Sequence, residues 1–259
     1  MINFLKACQG LYGDKEIIIT ACGPSLNKYK EEIIEKSQSH KVILICIKQS
    51  YNLFKQLCDF HIINTSNSQK YEYLRKIHPF KFNKTKPTVI LGTSDKNNTI
   101  FMDYHYIYET QHGGVNQLIS SQKNLKNFHL NLEDYKDNLL IRDWGPGIMY
   151  EFVLPFALLL GSKKIITYGW DIADKNNQNT HFDEINLKKF FEKRFEKFIF
   201  DEEYYSDRRR HNAWNYFLHK YKFTYNKAKM FDGEASIVKS FRELIIDFYS
   251  KKDIELIFK

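Results

Sequence analysis

Cysteine, proline and glycine are all scarce in this chain of 259 residues, at four, five and eleven. The cysteines (Cys8, Cys22, Cys46, Cys58) form no CxxC pair, which argues against a zinc knuckle or a disulfide framework and leaves buried free thiols as the expectation. No internal repeat or low-complexity tract stands out, although lysine and asparagine are abundant throughout. Long apolar runs are missing too. The longest, Phe152 to Leu160, is interrupted by Pro155 and falls far short of the roughly 20 residues a spanning helix needs. Met1 to Gly10 lacks the basic start and apolar stretch of a secretory signal, so a cytoplasmic location is expected. Neither GxGxxG nor a Walker lysine loop occurs, which weighs against a dinucleotide dehydrogenase and a P-loop NTPase. No DxD triplet occurs either, so a manganese clamp is not supported and no metal ligand is assigned.

What is present is a globular composition, 43% hydrophobic and 27% charged. That is enough to bury a core, and the length suits a single domain over 1–259. Lysine and arginine number 39 against 31 acidic residues, a net charge of +8. This balance favours an anionic partner: nucleic acid, an acidic membrane surface or a phosphorylated substrate. Aromatic residues reach 16%, which suits core packing as well as stacking on bases or sugars.

Short β-branched runs alternate with helical patterns. Glu16 to Thr20, Lys41 to Ile47, Phe60 to Asn64, Thr88 to Leu91, Leu139 to Ile141 and Lys164 to Tyr168 read as strands. Leu26 to Ser37, Tyr51 to Leu57, Ile148 to Leu160, His211 to Tyr221 and Ala235 to Tyr249 read as helices. The middle, about Thr93 to Asp137, reads as irregular. This alternation predicts an α/β, Rossmann-like, mostly parallel sheet flanked by helices. The polar, then charged and aromatic stretch after Gly169-Trp170-Asp171 predicts a lid-like or acceptor-binding insertion over about 172–210.

Ligands of open parallel sheets bind outside the carboxyl ends of the strands. Three stretches place unusual residues there. In Ala21-Cys22-Gly23-Pro24-Ser25-Leu26, Gly23 permits close backbone approach and Ser25 can cap the next helix, whose N–H groups attract phosphate. In Arg142 to Gly147, Gly145, Pro146 and Gly147 make a tight turn at a helix start. In Gly169-Trp170-Asp171, Asp171 can bind a ribose hydroxyl or act as acid or base, and Trp170 can pack over a base or sugar. Taken singly, each also reads as an ordinary strand-end turn.

Taken in order, they resemble a known framework. Ile18 to Leu26 resembles the amino-terminal nucleotide loop of bacterial lipooligosaccharide sialyltransferases, glycosyltransferase family 42. Arg142 to Asp171 resembles their second signature: an arginine, a glycine turn, an apolar helix ending in Leu-Gly, a strand and Gly-x-Asp. Motility-accessory-factor proteins, implicated in transferring related nonulosonic acids, and an archaeal pterin pyrophosphokinase-like group share it. The resemblance implies that Gly23, Pro24 and Ser25, with Cys22 in place of an asparagine, form the phosphate and ribose loop. It implies nucleotide contacts from Asn64, from Gly145 to Gly147 and from Gly169, Trp170 and Asp171, and a cleft role for Arg142. Around Lys48 and Gln49 the family's other nucleotide asparagine is missing. Its two phosphate-holding tyrosines are replaced by Ala173 and Thr180, and its catalytic histidine falls nearest Tyr205.

An inverting transfer needs a base for the acceptor hydroxyl and a group to stabilise the departing phosphate. His181 and His211 are the candidate bases, because imidazole titrates near neutral pH. Arg208, Arg209 and Arg210 can neutralise the phosphate.

The resemblance therefore implies a glycosyltransferase. Its donor would be a CMP-linked sialic-acid-like (nonulosonic) or Kdo-like acid sugar, used as a substrate without a cofactor. Its acceptor would be a cell-surface glycan, in a lipooligosaccharide or capsule context. The positive charge also suits peripheral contact with the cytoplasmic face of the inner membrane and a lipid-linked acceptor. Oligomer formation is left open. The rival enzyme is the pterin pyrophosphokinase, which would use ATP and magnesium at a carboxylate pair, here only Asp171 and Asp174. The non-enzyme rival is a basic RNA-binding module. It lacks any RNP-like or GXXG signature, so no nucleic-acid partner is expected.

Overall fold

The computed structural model describes residues 1–64, 87–93, 105–111, 135–136, 139–143, 148–171 and 242–259. Among these, nine strands form one sheet. They are β1 (Glu16–Thr20), β2 (Val42–Ile47), β3 (Phe60–Asn64), β4 (Thr88–Thr93), β5 (Tyr106–Gln111), β6 (Tyr135–Lys136), β7 (Leu139–Asp143), β8 (Lys164–Tyr168) and β9 (Glu255–Phe258). Their order is β6-β7-β5-β4-β3-β2-β1-β8-β9. Only the β6–β7 pair is antiparallel, and every other neighbouring pair is parallel.

Strands buried on both faces need apolar residues at successive positions. β1 shows this arrangement. Ile17 and Ile19 enter one core cluster with Leu5, Ile43, Ile45, Phe156 and Ile165, while Ile18 enters the other with Leu26, Ile33, Leu44 and Ile166. The first cluster is covered by helix α1 (Ile2–Cys8), by α3 (Leu154–Leu159) and by helix α4 over 242–250. The second is covered by α2 (Lys30–Ser37) and by the 3-10 turns Pro24–Tyr29 and Lys48–Leu53. The protein is thus an α/β, Rossmann-like structure with helices on both faces of a predominantly parallel sheet. All four cysteines are buried free thiols, and burial pushes the Cys8 thiol up to about 11.

Several elements differ from the sequence reading. The segment 26–37 divides into a 3-10 turn and a shorter α2, and the 51–57 helix is replaced by the earlier 3-10 turn Lys48–Leu53. The stretch read as irregular holds β5, a parallel strand whose polar Glu109-Thr110-Gln111 end masks the pattern. β9 has four residues and no flanking turn signal; it forms because Lys164 to Thr167 offer it a ladder. The apolar helix opens with a π-helical turn, Met149–Val153. The proposed lid (172–210) and the 211–221 helix lie outside the described residues.

One ion-pair network ties the second layer to the sheet. Glu32 of α2 accepts hydrogen bonds from Tyr168 Oη at 2.9 Å and Lys259 Nζ at 2.5 Å, with Lys36 Nζ at 3.3 Å. The Lys259 hydrogen bond, opposed by burial and helped by Tyr168 and Lys36, holds the Glu32 carboxyl down at about 2. A depressed carboxyl contributes stability that is complete above its unfolded value and is lost as pH falls through the folded one. The window therefore runs from about pH 4.5 down to about pH 2. Glu32→Gln should melt below wild type at pH 7, with the gap closing toward pH 2.5. The effect should be modest, because the Glu32 side chain is 32% exposed. A melting-temperature gap that is constant across this range would rule the network out as a contributor.

Candidate functional site

The chain builds outward from β1 through β2, β3, β4 and β5 to β7, then returns to lay β8 on the opposite side of β1. The strand order reverses between β1 and β8. Parallel sheets open their ligand crevice at such a switch point, outside the carboxyl ends of the strands.

Two sequence stretches meet there. Backbone bonds continue beyond the strands, from Ala21 N–H to the Tyr168 carbonyl at 2.8 Å and from Gly23 N–H to the Gly169 carbonyl at 2.7 Å. This zipping brings the two turns into contact. Asp171 Oδ2 accepts the Ser25 N–H at 2.7 Å, across 146 residues of sequence. Gly169 has φ +68, a conformation that favours glycine. A side chain on Gly23 would place Cβ 2.3 Å from Asp171 Oδ2 and 2.6 Å from the Gly169 carbonyl oxygen.

The local chemistry corrects one expectation. Ser25 does not cap the helix it was expected to cap: the 3-10 turn Pro24–Tyr29 has no side-chain cap bond, and Pro24 occupies its first turn. Asp171 supplies the acceptor instead, while Ser25 Oγ is buried and has no hydrogen-bond partner among the described residues. The Cys22 thiol donates to the Ile47 carbonyl at 3.3 Å. Trp170 faces the aromatic groups behind the crevice, with ring centroids 4.9 Å from Tyr150 and 5.3 Å from Phe258. The π-helical turn at Met149–Val153 is therefore anchored beside the end of β8. π turns occur frequently at functional sites, and this one carries the buried carboxylate Glu151.

The sheet keeps other expected residues apart. Asn64 ends β3, two strands from β1. Arg142 pairs with Thr110 within β7, and four strands stand between β7 and β1. The strand order therefore does not bring Arg142 beside Asp171. Gly145, Pro146, Gly147, His181 and His211 lie outside the described residues.

Two groups were not assigned a role from the sequence. Gln49 follows β2 and is 1% exposed, yet among the described residues neither its amide nitrogen nor its amide oxygen has a hydrogen-bond partner. Unsatisfied buried amides are costly, about 1–3 kcal/mol per group, so such a residue is suited to meeting a ligand. Lys48 directs the turn with φ +49, and its carbonyl lies 2.8 Å from His61 Nε2. The signal in the sequence was the polar Lys-Gln-Ser step directly after the apolar β2. The second group is Arg242, whose Cζ lies 5.2 Å from the Trp170 ring centre. Only its tertiary contacts show it.

The fold and this crevice define a Rossmann-like α/β protein with polar groups gathered at its switch point. No family model matches the chain, and no curated protein matches it. Among solved structures, the chain is similar to a MAf glycosyltransferase from Magnetospirillum magneticum AMB-1. The identity is 15% and the TM-score 0.39, over 68% of this chain and 28% of that one. It is also similar to the sialyltransferase CstII from Campylobacter jejuni, solved with the substrate analogue CMP-3FNeuAc. There the identity is 19% and the TM-score 0.33, over 80% of this chain and 79% of that one. The chain spans 28% of the length of the first of these proteins.

Proposed function

We propose that this protein is a glycosyltransferase of the sialyltransferase type. Its donor is a CMP-activated nonulosonic or Kdo-like acid sugar, and its acceptor is a cell-surface glycan. The observation that carries the reading is the closure of Gly23 onto Asp171 at the β1–β8 switch point. A carboxylate at the end of a strand suits a ribose hydroxyl, because it accepts through two oxygens and here gives one to Ser25 N–H. Gly23 removes the side chain that would otherwise fill the same place. The order of motifs that resembles glycosyltransferase family 42 supports the choice of nucleotide.

In this reading, His181 or His211 takes the proton from the acceptor hydroxyl, whose oxygen then bonds to the anomeric carbon from the face opposite the nucleotide. The bond from that carbon to the phosphate oxygen breaks, and CMP leaves with the electron pair. Cationic side chains balance the departing phosphate, so the step needs no metal. The net charge of +8 suits work beside acidic lipids at the cytoplasmic face of a membrane. Among the described residues, no helix is long and apolar enough to cross one.

The test is a thermal-shift panel of CMP, UDP, GDP and ATP with their sugar derivatives. A ligand at a hundredfold excess over its dissociation constant stabilises the native state by about 2.7 kcal/mol. CMP and CMP-sugars should raise the melting temperature most. A shift with UDP or GDP and none with CMP would overturn the donor, and an ATP shift dependent on magnesium would favour the pyrophosphokinase. Once a donor is found, His181→Ala and His211→Ala separate the two candidate bases. The base variant should lose turnover by about a hundredfold and still bind donor. Near-native rates from both would exclude both histidines.

A further inference from the structure

Arg242 stands at the carboxyl edge of the sheet. Helix α4, in which it lies, packs on the sheet through Ile245 and Tyr249, and Tyr249 Oη donates to the Leu154 carbonyl at 2.7 Å. This docking sets the Arg242 Cζ 3.9 Å from the centre of the Phe258 ring and 5.2 Å from that of Trp170. Phe258 ends β9, and Trp170 lies between the two site residues Gly169 and Asp171.

Both contacts set the guanidinium carbon near an aromatic ring, and among the described residues no hydrogen bond engages its N–H groups. Guanidinium groups stack on aromatic faces and donate within their own plane, in a fork that matches phosphate or carboxylate oxygens. None of the ion pairs among the described residues involves Arg242. Burial lowers its pKa, while the nearby Tyr150 and Asp171 act in the opposite direction. Asp171 thus attracts the guanidinium without an ion pair, and its Oδ2 is already taken by Ser25 N–H. A half-buried cation held by two rings, beside a ribose-type carboxylate, is arranged to receive an anion.

We propose that Arg242 binds the phosphate of the nucleotide in the β1–β8 crevice, as a planar fork set against Trp170 and Phe258. The proposal rests on reading that crevice as a nucleotide site. It assigns the phosphate ligand to the helix before β9, where the sequence reading looked to the Arg208-Arg209-Arg210 run, which lies outside the described residues.

Titration calorimetry on the full chain tests it with CMP, cytidine and inorganic pyrophosphate, using wild type, Arg242→Gln and Arg242→Lys. Wild type should bind CMP more tightly than cytidine. Arg242→Gln should weaken CMP roughly thirtyfold, the scale of a lost charge-assisted pair, and leave cytidine unchanged. Arg242→Lys should fall between them, since lysine keeps the charge without the fork. CMP affinity within about twofold of wild type in Arg242→Gln would overturn the proposal. So would loss of cytidine and CMP alike in both variants, which would mark a packing role. If wild type binds neither CMP nor cytidine, the cytidylate reading fails and pyrophosphate decides for Arg242. Pyrophosphate binding that Arg242→Gln abolishes upholds the anion site. Equal binding by the variant, or none by wild type, overturns it.

Discussion

Replacing Gly23 with alanine should abolish the nucleotide-induced thermal shift while leaving a folded protein. The reason is steric. The backbone at Gly23 is tied to Gly169 by a 2.7 Å hydrogen bond, so it cannot move away from β8 freely. A Cβ there would stand 2.6 Å from the Gly169 carbonyl oxygen, a backbone atom, and 2.3 Å from Asp171 Oδ2. Real Cβ contacts do not reach those distances. Relief requires Asp171 to swing out, which breaks its 2.7 Å bond to Ser25 N–H, or the two turns to separate. Either change removes the arrangement on which the proposed ribose contact depends. Overpacking of this kind typically costs about 1–3 kcal/mol, so the variant should still fold. Far-ultraviolet circular dichroism and the CMP thermal shift, measured together, check both parts. A variant that responds to CMP as wild type does would show that the crevice does not bind nucleotide at Gly23.

Phe156→Ala should give the largest loss of stability. Phe156 is fully buried at the centre of an aromatic series on one face of the sheet. Its ring stacks on Phe152 at 5.3 Å and meets Phe60 edge-on at 5.2 Å, and Phe152 stacks on Tyr108 at 4.3 Å. Phe4 lies 6.1 Å away on the first helix. The side chain therefore joins α1, α3, β3 and, through Phe152, β5. Removing a buried phenylalanine costs about 3–5 kcal/mol, through lost transfer energy and the cavity left behind. For a chain of this size, the melting temperature should fall by roughly 10 °C. Phe156 is away from the crevice, so the variant that remains folded should keep its CMP affinity at low temperature. A fall of less than about 3 °C would mean that neighbouring rings close the cavity.

The central strands were legible because burial on both faces demands unbroken apolar residues. β1, β3 and β8 have the bounds that Glu16 to Thr20, Phe60 to Asn64 and Lys164 to Tyr168 suggest. The edge of the sheet was not legible. β9 carries four residues with no periodic signal of its own, and it exists because β8 presents unpaired backbone groups. The Tyr51 to Leu57 helix failed for a related reason. The Lys48 to Ser50 step, with Gln49 and Ser50 buried and Ser50 Oγ bonded to the Thr20 and Ile47 carbonyls at 2.9 and 2.8 Å, starts a 3-10 turn earlier than helix patterning suggests.

For the site, glycines beside a carboxylate at strand ends were visible as residue types, because backbone freedom and charge are local properties of the chain. The amino acid sequence alone therefore determined the α/β class and the two turns that meet in the crevice. Which groups face one another was decided only by tertiary structure. Strand order puts Asp171 on Ser25 and leaves Arg142 on β7 with four strands between it and β1. Helix docking brings Arg242 onto Trp170. These pairings join residues far apart in the chain, and their energy comes from burial and hydrogen bonding that exist only once the sheet has closed.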